Sequence, residues 1–120
     1  MKYLLMIHVN PTLLDALSEE DRQAVFDAHD EFGKITRESG EFVSSIALAD
    51  PSNSTTVRVR DEAAAVTDGP YVESKEFLAG YYIVDCETVE RAQELAALIP
   101  DAKFNAIEVR PVMNEAGLEM

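Results

Sequence analysis

The strongest structural signal in the sequence is FLAGYYIVD, residues Phe77–Asp85. It is apolar and aromatic along most of its length and contains no proline, which is typical of a buried β-strand. Gly80 lies in its middle, where the missing side chain often marks the close approach of another backbone or room for a ligand. We therefore predict a long buried strand here.

The residues that follow predict a helix and a last strand. Thr88 is a suitable N-cap residue, and Pro100 stops the helix because proline cannot continue its hydrogen-bond pattern. Residues 106–112 then alternate as a strand, with Glu108 and Arg110 on one face. The apolar residues of the helix share one face: Val89, Ala92, Ala96 and Ile99.

The residues that precede it predict a strand, a helix and a strand. Residues 3–9 favour β-structure and end at Asn10-Pro11, and residues 42–48 form the next strand. Between them, Ser18 and Asp21 resemble a capping box and Gly40 is a C-terminal stop, which predicts a helix over Glu19–Ser39. One stripe of this helix is Val25, Ala28, His29, Phe32, Ile35 and Thr36.

A β-hairpin is predicted between the two halves. After the loop at residues 49–54, Thr55–Arg60 alternates and pairs with residues 63–67 through Asp61-Glu62. The order is therefore βαβ, an inserted hairpin, and βαβ. This order predicts an α+β, ferredoxin-like fold with two helices on one face of a mainly antiparallel sheet.

The other face of such a sheet has no helix to cover it. Its apolar side chains would contact water unless the sheet of a second subunit covered them, so the pattern predicts a homodimer. The 120 residues fit one domain, which we place at residues 1–113, with a C-terminal tail at residues 114–120.

The charge excludes some partners. The formal net charge of -13 sets 23 carboxylates against 10 basic side chains, so nucleic acid and anionic membranes would be repelled. The single cysteine, Cys86, cannot form an internal disulfide and fits a reduced compartment. The apolar run at the N-terminus is too short to span a membrane, and we predict a cytoplasmic protein.

Known cofactor motifs do not occur in the sequence. It contains no HExxH, CxxC, GxxxxGK[ST], GxGxxG or GxSxG pattern, and two histidines with one cysteine do not make a typical zinc site. We therefore predict neither a metal nor a cofactor.

The segment TDGPYVESKE, residues 67–76, with Leu78, Gly80 and Tyr82 after it, resembles the signature of the YCII-related (DGPF-type) family. Tyr71 stands where the family usually has phenylalanine. The resemblance extends to MKYLLMI at residues 1–7, to residues 55–58, to Ile99-Pro100 and to residues 109–111. It implies a dimeric α/β barrel, in which two ferredoxin-like subunits pack sheet to sheet and form clefts for small molecules.

The resemblance also implies candidate roles. Some members are encoded beside extracytoplasmic-function sigma factors, and a related branch includes a lyase of chlorinated hydroquinones. That branch pairs a histidine on the first helix with an aspartate just before the proline after the second helix. His29 matches the histidine, but Ile99 precedes Pro100. We expect the side chain of Asp101, beyond the proline, to point elsewhere, which leaves the acidic partner missing.

Two residues are candidates for catalysis. His29 lies on the apolar stripe and should face the sheet, either as a hydrogen-bonded core histidine or as a general base. Asp68 precedes Gly69-Pro70, where it either accepts a backbone hydrogen bond in an Asx turn or acts as an acid beside a cleft. His8, at the end of the first strand, is expected to be structural.

Four residues are candidates for ligand binding: Arg58, Tyr71, Lys75 and Tyr82. Lys75 would anchor an anion beside the Asp68 loop, and Arg58 would bind a carboxylate unless it is an ordinary surface residue. Tyr81 and Tyr82 point to opposite faces of their strand, so at most one of them lines a cleft.

Three functions remain open. The first is a dimeric module that binds a small molecule and assists a sigma-factor-type regulator. The second is a cofactor-free lyase or isomerase for a small aromatic or carbonyl compound, with His29 as its base and Asp68 or Lys75 assisting. The third is a purely structural role, which predicts a filled interior without a cavity.

Overall fold

The structure is a computed structural model that describes residues 1–72 and 74–117. Residue 73, within the family signature, and residues 118–120 of the predicted tail lie outside this part. The described elements are β1 (Lys2–Val9), α1 (Pro11–Asp15), α2 (Glu19–Ser39), β2 (Phe42–Ala47), β3 (Thr55–Arg60), β4 (Ala63–Asp68), β5 (Phe77–Asp85), α3 (Val89–Leu98) and β6 (Ala106–Pro111).

The main sheet has four strands in the order β2-β5-β1-β6, and each neighbouring pair is antiparallel. The predicted α+β class with a mainly antiparallel sheet is therefore confirmed. The long buried strand, β5, has the predicted limits Phe77–Asp85 and lies inside the sheet between β2 and β1. It registers Tyr82 opposite Leu5 and Gly80 opposite Ile7.

Local capping signals explain the limits of the two longer helices. In α2, the Ser18 hydroxyl accepts a hydrogen bond from the backbone N–H of Asp21, and Gly40 ends the helix with φ of 80°. A left-handed residue of this kind is easiest for glycine. In α3, the Thr88 hydroxyl accepts from the N–H of Arg91. Both predicted caps are confirmed.

A third helix, α1, follows β1 at once, so the described residues form three α-helices where the sequence predicted two. Asn10 ends the strand as expected, but its side-chain oxygen also accepts a hydrogen bond from the N–H of Thr12. Pro11 then occupies the first helical position, where proline lacks only an N–H that needs no helical partner. The same dipeptide that ends β1 therefore starts α1.

The predicted hairpin is present and forms a separate two-stranded sheet, β3-β4. Asp61 and Glu62 form its turn with φ of 51° and 65°. Positive φ at both central residues matches the right-handed twist of the paired strands. Val57 lies opposite Val66, and both side chains are well exposed.

The helices cover one face of the main sheet. Along β1 the burial alternates, with Tyr3, Leu5 and Ile7 buried and the residues between them half-buried. Since neighbouring side chains of a strand point to opposite faces, the core lies on one side. The remaining core residues are Phe32, Tyr82, Val84, Cys86, Ala92, Leu95, Ala96 and Ile99.

Gly80 marks the close approach of another backbone, as its position in the strand predicted. A Cβ atom built on Gly80 would overlap the carbonyl oxygen of Ile46 and meet the Cα of Ala47 at 3.2 Å. Both neighbours belong to β2, which pairs with β5 at this point. Glycine therefore lets β2 lie directly against β5.

Replacing Gly80 with alanine should destabilise the protein by about 1–3 kcal/mol, because backbone must move to admit the methyl group. Urea unfolding measures this change. The matched control is Gly33→Ala, where the added Cβ meets only the mobile end of Arg37, at 2.7 Å from Nη1. Alanine also favours the helix that contains residue 33, so this control should be neutral or stabilising. Equal losses in both variants would contradict the backbone contact.

Candidate functional site

His29 lies on α2 and faces the sheet, as its position on the apolar stripe predicted. Its side chain keeps 24% of its surface exposed, so it is not enclosed in the core. Both ring nitrogens have a partner: Nδ1 lies 2.8 Å from the Tyr82 hydroxyl and Nε2 lies 2.6 Å from Oδ1 of Asp101. His29 therefore joins the sheet to the turn that follows α3.

Asp101 supplies the acidic partner, and the expectation that its side chain points elsewhere was wrong. Ile99 is extended, as a residue before proline usually is, and Pro100–Lys103 then form a single 3₁₀ turn. This tight turn directs the carboxylate of Asp101 towards α2. Asp101 is only 7% exposed, and its hydrogen bond with His29 offsets part of the free-energy cost of burying its charge.

Tyr82 completes the arrangement from the sheet. Its ring packs against Phe32 with 4.4 Å between centroids and stacks on His29 with 5.9 Å between centroids. These contacts hold the phenol at the imidazole. Tyr82 belongs to the covered face of β5, whereas Tyr81 belongs to the opposite face, as the alternation of the strand predicted.

The protons of this chain of hydrogen bonds follow from the chemistry of its groups. An ionised carboxylate only accepts hydrogen bonds, so His29 donates to Asp101 from Nε2–H. The neutral imidazole then has its lone pair on Nδ1, and the Tyr82 hydroxyl donates to it. The chain runs from the Tyr82 O–H through His29 to the carboxylate of Asp101.

The environment of Tyr82 keeps its phenol protonated. Burial disfavours the charged phenolate, and the nearby negative charge of Asp101 disfavours it further. Together they raise the pKa of Tyr82 to about 12, although Arg37 opposes them. Tyr82 is therefore a hydrogen-bond donor throughout the neutral range.

A cavity of about 550 Å³ opens beside these residues. It is large enough for a small organic ligand. His29, Tyr82 and Asp101 all line it, and most of the remaining lining is apolar. The other lining residues are Ile7, Leu14, Asp15, Leu17, Arg22, Val25, Phe26, Asp30, Ser45, Ile46, Ala47, Leu48, Ala79, Gly80 and Tyr81.

The unpredicted helix α1 contributes to this cavity through Leu14 and Asp15. Four large apolar side chains of the lining keep more than a third of their surface exposed: Leu14 (37%), Phe26 (61%), Ile46 (45%) and Leu48 (49%). Exposed apolar side chains grouped around a concave site are typical of a binding surface. They favour a ligand with an apolar body.

The other predicted site residues lie elsewhere. Asp68, Tyr71, Lys75 and Arg58 are all exposed, and none of them lines the cavity of His29. The structure brings two of them together, because the guanidinium carbon of Arg58 lies 5.4 Å from the centre of the Tyr71 ring. This is a cation–π contact at the surface. Of the candidate site residues, only His29 and Tyr82 meet at the cavity. Tyr81 also lines it, so the expectation that at most one of these two neighbouring tyrosines lines a cleft was wrong.

The Asx turn predicted at Asp68 does not form within the described residues. The residue two positions on is Pro70, which has no N–H to donate. The N–H of Gly69 donates instead to the carbonyl of Ser54 at 2.8 Å. Asp68 is the last residue of β4 and lies opposite Thr55, at the end of the hairpin away from its turn.

No three His, Cys, Asp or Glu side chains of residues 1–72 and 74–117 are grouped so that they could hold a metal ion. None of the described helices has the length and apolar character needed to cross a membrane.

Two comparisons with known proteins bear on this chain. The family model for the YCII-related domain matches residues 1–116. An uncharacterised protein of Rhizobium meliloti (strain 1021) is 26% identical over 114 residues, which cover 93% of this chain and 92% of that protein.

The elevated pKa of Tyr82 predicts how stability changes at high pH. An unfolded tyrosine releases its proton near pH 10, whereas folded Tyr82 holds it until about pH 12. The contribution of Tyr82 to the free energy of unfolding is complete below pH 10. Roughly 2–3 kcal/mol of it is lost as the pH rises to about 12. The phenolate absorbance of the wild type and of Tyr82→Phe is measured as a function of pH, and the difference between the two curves reports the titration of Tyr82. A difference curve that is complete near pH 10 would contradict the hydrogen-bonded, buried phenol.

Proposed function

The chain belongs to the YCII-related domain family. We propose that it is a small enzyme that moves a proton on a largely apolar compound without a cofactor. The single observation that carries the proposal is the contact of His29 with Asp101 at the edge of a cavity. A carboxylate on one imidazole nitrogen orients the ring and stabilises the imidazolium that forms when the ring takes a proton.

The apolar lining supports a lyase or isomerase acting on a small aromatic or carbonyl compound. In such a reaction a base removes a proton from carbon or oxygen, and the substrate then rearranges or loses a group. His29 and Asp101 would store that proton. Asp68 and Lys75 are not part of this proposal, because neither lines the cavity.

Binding without chemistry is the second candidate. The same cavity of about 550 Å³ supports it, since its size and apolar lining suit a ligand whether or not a reaction follows. The further expectation, that the protein assists a sigma-factor-type regulator, rests on the resemblance alone and stays a prediction. A purely structural role is disfavoured by the open cavity.

Exchange of carbon-bound hydrogen in D₂O separates the two candidates. A panel of small aryl ketones is first screened by thermal shift, and deuterium uptake beside the carbonyl of each compound that binds is then followed by NMR. The enzyme should catalyse uptake, and His29→Gln should slow it about 100-fold or more while changing the Kd much less.

The matched control for that experiment is His8→Gln, since His8 is the only other histidine of the sequence and does not line the cavity. It should keep the wild-type rate. If the wild type catalyses no deuterium uptake and His29→Gln only weakens ligand binding, the protein is a binding module and the proposed enzymatic function is contradicted.

We further propose that two copies pack through the uncovered face of the main sheet, as a ferredoxin-like subunit does in a dimeric α/β barrel. The strand order β2-β5-β1-β6 supports the ferredoxin-like arrangement. On the face opposite the helices, Leu4, Met6, Tyr81 and Ile83 form an apolar, half-buried surface that no described helix covers. An apolar sheet face without a covering layer often marks a contact with another subunit.

Replacing Met6 with lysine places a charge in the centre of this surface and should convert the dimer to a monomer, because a charge there would be desolvated without a partner. Light scattering at micromolar concentration measures the mass. The control is Leu98→Lys, the same change at an exposed position on α3, which should leave the dimer intact. A monomeric wild type would contradict the sheet-to-sheet assembly.

A further inference from the structure

The hydrogen bonds of His29 leave no free lone pair on its ring. In the neutral imidazole, Nε2 carries the proton that is donated to Asp101, and the lone pair of Nδ1 accepts from the Tyr82 hydroxyl at 2.8 Å. A substrate in the cavity therefore meets an imidazole whose basic nitrogen is already occupied. The oxygen of Tyr82 donates its one proton but still has capacity to accept.

We propose that Tyr82 is a catalytic residue, whose phenol oxygen accepts the proton of the substrate while its own proton passes to Nδ1 of His29. This inference rests on the proposed proton-transfer function and names the group that touches the substrate. Tyr82 lines the cavity, and its ring is fixed between Phe32 and His29.

The step balances without any other reactant. The C–H or O–H bond of the substrate breaks, and its proton forms a bond to the oxygen of Tyr82. The former O–H bond of Tyr82 breaks as its proton bonds to Nδ1. The electron pair stays on the substrate as an enolate, carbanion or alkoxide, and the imidazolium lies between Tyr82 and the carboxylate of Asp101. The reverse movement returns a proton to the product.

The environment favours concerted movement of the two protons. A free phenolate at this position is costly, because burial and the charge of Asp101 raise the pKa of Tyr82 to about 12. Transfer to His29 as the substrate proton arrives avoids that charge. Asp101 acts as a positioning residue, since its carboxylate holds the Nε2–H tautomer and leaves Nδ1 ready to accept.

The other carboxylates of the cavity lack this arrangement. Asp15 and Asp30 also line it, but both are exposed and neither has a described hydrogen bond to His29 or Tyr82. A proton accepted by either would have no described path to the imidazole.

Ring opening of 5-nitrobenzisoxazole tests the proposal. This neutral, apolar compound fits a cavity of this size, and a base opens it by removing its C–H proton while the N–O bond breaks and the oxygen leaves as a coloured phenolate. The wild type should accelerate the reaction. Tyr82→Phe and His29→Gln should each slow it about 100-fold, and the double variant no further, because the two residues act as one unit.

Two comparisons keep structural effects apart from the chemistry. Tyr82→Phe retains the ring that packs on Phe32, and circular dichroism checks its fold. Tyr3→Phe removes another buried phenol that does not line the cavity, and it should keep the wild-type rate. The proposed relay is the joint transfer of the substrate proton to Tyr82 and of the Tyr82 proton to His29. Because it moves the exchangeable proton of Tyr82, the wild-type reaction should be slower in D₂O than in H₂O.

The outcomes separate the relay from the proposed function. If Tyr82→Phe matches or exceeds the wild type while His29→Gln is slow, Nδ1 acts directly on the substrate, and the relay is overturned but the enzyme stands. Equal wild-type rates in D₂O and H₂O would also overturn the relay. If the wild type does not accelerate ring opening beyond buffer, both the relay and the proton-transfer function are contradicted.

Discussion

The hydrogen-bonded chain of Tyr82, His29 and Asp101 joins three parts of the molecule at one point. Tyr82 comes from the inner strand β5, His29 from α2 and Asp101 from the turn after α3. These polar groups lie at the edge of an apolar core, where leaving any of them without a partner would cost roughly 1–3 kcal/mol. The chain therefore ties the helix layer to the sheet and also places a polar site beside the cavity.

The position of that site follows from how the sheet is covered. The described helices cover one face of the sheet, and the cavity opens between that face and α2, where Gly80 has no side chain and β2 lies close to β5. The opposite face, with Met6 and Tyr81, has no described helix over it. The helix-covered face therefore carries the hydrogen-bonded Tyr82, while Tyr81 of the opposite face also contributes to the cavity lining.

Elements set by local interactions could be predicted from the sequence. Ser18 and Gly40 define α2, Thr88 starts α3, and β5 has its predicted limits. Each of these signals acts over a few residues, through a cap, a left-handed residue or the composition of a strand. The helical stripe likewise predicted that His29 faces the sheet.

The completed site could not be predicted, because it depends on contacts between residues far apart in the sequence. Asp101 contacts His29 only because Pro100 starts a 3₁₀ turn, and position relative to the proline did not indicate where the carboxylate points. α1 was missed since Asn10-Pro11 can end a strand and start a helix equally well. Pro70, which has no N–H, could have excluded the Asx turn at Asp68.

The ionised carboxylate of Asp101 and a neutral His29 together place the ring proton on Nε2 and leave Nδ1 to accept a hydrogen bond. Nitrogen-15 NMR of the His8→Gln protein at neutral pH tests this placement directly, since His29 is then the only histidine. One fixed tautomer, with the proton on Nε2 and the lone pair on Nδ1, is the predicted result. A proton on Nδ1, or a ring that exchanges between both tautomers, would contradict this hydrogen-bond arrangement.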